Sequence, residues 1–93
     1  MAEFETSPKV RRRAGLKRLA GLLGDLRALS ELREGRPGDF RIGSRPFLHF
    51  HYHPHGKIVA DVRLSDGEIT RFDVSEEGGQ QEVLSAVERD LGY

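Results

Sequence analysis

The segment His49-Phe50-His51-Tyr52-His53-Pro54-His55 holds all four histidines of a 93-residue chain that has no cysteine. Neutral imidazole suits zinc, copper, iron and nickel, and without thiolates the only strong ligands left are histidines and carboxylates. Leu48, Phe50 and Tyr52 alternate with the histidines, so a strand here puts His49, His51 and His53 on the face opposite the apolar residues, with His55 in a turn. Imidazoles two positions apart on a strand are separated by about 7 Å at the backbone and can converge on one ion. A third ligand has to come from a neighbouring strand. Three-residue hairpin loops would align Asp39, His49, Asp61 and Arg71 across four strands and set His51 opposite Val59. The expected metal site is therefore His49, His51 and Asp61, with Asp39 as fourth ligand or as the carboxylate that orients an imidazole, and zinc is a suitable ion. An ordinary polar sheet face would use the same Asp-His-Asp-Arg pairing for charge compensation, and the histidines could also form a pH-sensitive rim, since imidazole ordinarily titrates near about 6.5.

Other catalytic chemistry has little to carry it. No glycine-rich loop leads into Lys-Ser/Thr, and there is no Gly-x-Ser-x-Gly elbow. Ser44 and Ser65 fall in expected turns with no base placed beside them. A metal-activated water is the one catalytic option with residues behind it.

The elements that position the histidines can be read from periodicity. Leu16, Leu19, Leu22, Leu23, Leu26, Leu29 and Leu32 recur at steps of three and four, which predicts an N-terminal helix with one apolar stripe, opened by Ser7 as cap and Pro8 at the first position. Gly15, Gly21 and Gly24 within it imply a break or a close approach by another element. Gly35, Pro37 and Gly38 end it. The period then changes to two: Phe40 and Ile42; Leu48, Phe50 and Tyr52; Ile58, Ala60, Val62 and Leu64; Thr70, Phe72 and Val74 mark four half-buried strands. Parity sets their loops. A three-residue loop at Ser65-Asp66-Gly67 pairs Phe72 with Ala60, whereas a two-residue loop would turn the apolar face outward. The same parity pairs Phe40 with Leu48 across Gly43, Ser44 and Arg45. Ser75 is the expected cap of a last helix carrying Val83, Leu84, Val87 and Leu91 on one face, with a frayed start at Gly78 and Gly79. The expected fold is α+β, a four-stranded antiparallel meander with an N-terminal and a C-terminal helix on one face (α-β-β-β-β-α). Residues 1–8 are expected as a flexible tail and 9–93 as a single domain.

Charge sharpens the partner question. Fifteen Lys/Arg balance fifteen Asp/Glu, yet residues 1–46 hold eleven basic and six acidic side chains while 47–93 hold four and nine. The cluster Arg11, Arg12, Arg13, Lys17 and Arg18 could bind an anion such as nucleic acid. No aromatic residue is interleaved with it, so base-stacking groups are missing, and opposite solvated faces on two terminal helices account for the same charges. No apolar run approaches the roughly 20 residues needed to cross a bilayer, and a domain this small gains from self-association. Phe47 and Val59 are expected to face outward with the histidines, as a possible subunit interface. The expectation is a cytoplasmic, homodimeric interaction or accessory domain without catalysis of its own, away from membranes. A metal-binding protein or metal-dependent hydrolase is the alternative, and nucleic-acid binding the second.

Overall fold

The computed structural model describes residues 7–93; residues 1–6, most of the expected tail, lie outside the described residues. Three helices and a five-stranded antiparallel sheet make an α+β fold. The order is α1 (Pro8–Arg18), α2 (Ala20–Arg27), β1 (Arg33–Glu34), β2 (Phe40–Ile42), β3 (Arg45–Tyr52), β4 (Ile58–Arg63), β5 (Ile69–Asp73) and α3 (Glu77–Leu91). The strands lie side by side in chain order, a pure meander, as connections too short for crossovers require. Among the described residues no helix is long and apolar enough to cross a membrane.

The N-terminal helix opens with the Ser7 hydroxyl accepting from the Val10 N–H and with Pro8 in the first turn. It divides at Leu19, whose ψ of 6° leaves the helical range although its side chain is fully buried. Gly15 is a point of close approach: a Cβ there would lie 2.3 Å from Cδ1 of Tyr52. Helical structure stops at Arg27, earlier than the leucine spacing implies. Leu29 and Leu32 remain buried, but they sit in successive tight turns, with Leu29 N–H bonded to Leu26 O and Leu32 N–H to Leu29 O. Those turns release Arg33 and Glu34 into β1, a fifth strand that two residues are too few to announce by alternation.

Both long hairpins close over three-residue loops, His53 N–H donating to Lys57 O and Leu64 N–H to Glu68 O. Tyr52 pairs with Ile58 and Phe50 with Ala60, and Ala60 pairs with Phe72. The β2–β3 link reaches its expected Phe40–Leu48 pair by another route. Ile42 pairs with Arg45 across a two-residue turn, and Phe47 is then an extra residue in β3, because Arg41 pairs with Pro46 while Phe40 pairs with Leu48. A bulge of this kind interrupts alternation.

The core lies between one face of the sheet and the helices. Leu19 and Leu26, Phe40, Leu48, Ile58 and Val62, and Val83 and Val87 are all essentially buried there. The C-terminal helix begins after Glu76, and the Ser75 hydroxyl, rather than capping it, accepts from the Ile58 N–H at 2.9 Å. Its first turn is pressed against β5 instead of frayed, since a Cβ on Gly79 would lie 1.9 Å from the Asp73 carbonyl oxygen. Gly92 in the left-handed region closes it, with Tyr93 N–H bonded to Glu88 O.

Candidate metal centre

The sheet face away from the helices carries Arg41, His49, His51, Val59, Asp61 and Arg71 by strand parity. Asp61, on the central part of β4, pairs with His49 on β3 and with Arg71 on β5, while His51 pairs with Val59. This follows from the two three-residue loops: each fixes a register, and the two registers together bring one carboxylate between imidazoles on one side and a guanidinium on the other.

Asp61 is only 8% exposed, and it is the one charged residue in the buried set. Its two oxygens have separate tasks. Oδ1 accepts from Arg71 Nε–H at 2.9 Å, and Oδ2 lies 3.0 Å from His51 Nε2 and 4.0 Å from His49 Nε2. The two imidazoles meet edge to face with centroids 4.7 Å apart. Partial desolvation pushes the Asp61 carboxyl up, but the hydrogen bonds from Arg71 and His51 outweigh it and hold the group below the ordinary carboxylate range.

The ligand atoms of His49, His51 and Asp61 all lie within 4.8 Å of one another. Zinc bound at about 2.0–2.1 Å by tetrahedral ligands needs them about 3.4 Å apart, so small rotations of two imidazoles that are 49% and 44% exposed would close the set. Arg71 helps by fixing Oδ1, which turns Oδ2 toward both rings, and hinders by adding a cation beside the ion.

Asp39 does not join this group. It precedes β2, its carbonyl accepting from Gly35 N–H and its N–H donating to Arg36 O within the β1–β2 turn. Burial pushes the Tyr52 phenol up, with Arg12 opposing and the Asp39 carboxylate adding to the rise. His53 stands 6.4 Å from His51 between ring centroids and is outside the trio, as is His55 in the Pro54–Gly56 turn. Phe47 lines a small cleft with His49, Asp61, Arg63 and Ile69 on this face, but at 2% exposure it is covered by its neighbours and adds no exposed apolar surface. Val59 is half-buried, whereas Ile69, which sequence reading left unassigned, is 56% exposed beside Arg63 on this face.

Three residues of the basic cluster bond backbone carbonyls at the surface. Arg11 Nε–H donates to Tyr52 O at 3.0 Å, Arg12 donates to Pro37 O and stands over the Tyr52 ring, and Arg18 donates to Gly56 O at 2.6 Å and to Ser75 O. These guanidiniums satisfy carbonyls at the ends of strands and turns, where β-ladder partners run out. Arg13, Lys17 and Arg18 are exposed. On the far side, Arg27 grips Glu34 with two hydrogen bonds of 2.6 and 2.9 Å, and Glu34 also accepts from Gly38 N–H. The Arg27 bond holds the Glu34 carboxyl below its usual range.

The chain matches no protein-family model, no curated protein and no solved structure.

Proposed function

We propose that this chain is a small cytoplasmic binding domain, accessory to a larger activity and not itself a catalyst, that holds one divalent transition metal ion such as zinc on the open face of its sheet through His49, His51 and Asp61. The observation that carries the reading is the convergence of these three ligand atoms within 4.8 Å on a face with two exposed imidazoles. A three-ligand site leaves one position for water or for a donor from a partner. The absence of cysteine restricts the ligands to nitrogen and oxygen. The same face suits a homodimer, because Val59 and Ile69 give it apolar content among the charges.

Metal analysis of the tag-free protein after equilibrium dialysis against zinc tests the site. About one equivalent is expected, falling sharply in the His49→Ala, His51→Ala pair; less than about 0.1 equivalent in the parent protein ends the metal reading. Sedimentation over a concentration series tests the dimer, which a monomer at every accessible concentration would refute.

A further inference from the structure

A groove of about 260 Å³ separates α1 from the tip of the β3–β4 hairpin, apart from the histidine–carboxylate trio. Its floor is apolar, made by Val10, Ala14, Gly15 and Ile58 with the Tyr52 ring. Its rim is basic: Arg11, Arg18, His53, His55 and Lys57 line it, and among the described residues no carboxylate does. A small apolar concavity with convergent polar groups of one character is the usual form of a ligand site.

Two details fit a ligand of negative charge. Arg18 turns Nη1 and Nη2 to the carbonyls of Gly56 and Ser75, so the guanidinium is held in place, and its five-donor fork has N–H groups beyond those two. His55 has φ 64° and ψ 26° in the hairpin turn, the one non-glycine residue with positive φ among the described residues. Glycine would serve that backbone better, yet an imidazole stands at the rim.

We propose that this groove binds a small amphipathic anion, a short apolar chain or ring that ends in a carboxylate or a phosphate monoester. The apolar part lies on Ala14, Gly15 and Ile58, and the head group meets Arg18, Lys57 and the two imidazoles. The volume is just under the about 300–1,000 Å³ of sites for drug-sized ligands, which limits the apolar part to a short one.

The test is an amide NMR titration of the full chain with octanoate, octyl phosphate and octanol. The two anions should give saturable shifts at Ala14, Gly15, Gly56 and Ile58, with octanol at least about tenfold weaker, a difference that reads the head group alone. The tighter of the two anions identifies the head group. Arg18 also fastens the fold, so the variant of choice is His55→Gly with Lys57→Gln, which relieves the turn and leaves an exposed side chain uncharged. It should weaken octanoate by about threefold or more while its spectrum stays native. Octanol binding as tightly as octanoate, no saturable shift with any probe, or unchanged affinity in the natively folded double variant would each overturn the proposal.

Discussion

Replacing Asp61 by asparagine keeps the shape of the side chain and removes the charge that Arg71 and His51 share. The carboxylate side chain is 9% exposed and receives hydrogen bonds of 2.9 Å from Arg71 and 3.0 Å from His51. A buried hydrogen bond to a charged group contributes about 1.5–3 kcal/mol. Here the partners are 74% and 44% exposed, so water screens the attraction and recovers their donors in the variant, which reduces the expected loss to about 1–2 kcal/mol. In a domain of this size that is a fall of about 5–10 °C in Tm. The pH dependence separates charge from packing. Because the folded-state pKa of Asp61 is depressed, its contribution is fully present above the unfolded value of about 3.9 and is lost as pH falls through the lower folded value. Urea denaturation of both proteins at pH 7, 5 and 3 should therefore give the same gap at the first two and a smaller one at the third. Equal stability at pH 7, or a gap that persists undiminished at pH 3, would refute the charge account.

Two glycines of the N-terminal helices should respond with opposite signs in thermal denaturation. Gly15→Ala forces a methyl against the Tyr52 ring and should cost about 1–2 kcal/mol after its helix-propensity gain, whereas Gly24→Ala meets nothing within 4 Å and should add about 1 kcal/mol. Gly79→Ala cannot be accommodated beside the Asp73 carbonyl and should cost more than about 2 kcal/mol, with the near-ultraviolet signal of the packed core weakened at moderate temperature. The Tyr52 hydroxyl is buried without a hydrogen-bond partner among the described residues; Tyr52→Phe should raise stability by about 1 kcal/mol in chemical denaturation.

The parts of the site that sequence reading reached are those governed by parity. Once the apolar residues of β3, β4 and β5 must share a face, only three-residue loops satisfy them, and the His49–Asp61–Arg71 row follows with no knowledge of the side chains. Where parity is degenerate the reading slips. A two-residue turn plus a bulge yields the same Phe40–Leu48 pair as a three-residue link, so the bulge at Phe47 left no mark in the pattern. The division at Leu19 falls between Gly15 and Gly21, the glycines that implied a break or a close approach, whereas β1 is shorter than one period of alternation can detect. That Arg11, Arg12 and Arg18 also bond backbone carbonyls of Tyr52, Pro37 and Gly56 left no mark either, because a sequence does not record which carbonyls will lack ladder partners.

Arg18 ties α1 to positions 38 and 57 residues further along the chain, and Arg11 reaches 41 residues to Tyr52. Each strand of the meander, by contrast, pairs with the next across a short turn. The sheet can zip from its hairpins outward, while the grip of α1 on Tyr52 and Gly56 waits for the β3–β4 hairpin and is completed only when Ser75 is in place. This helix therefore docks after the hairpin that it grips and leaves before that hairpin opens. Its amides should exchange with solvent ahead of those of β3 and β4, and because the groove exists only while α1 is seated, a molecule held there would slow that exchange.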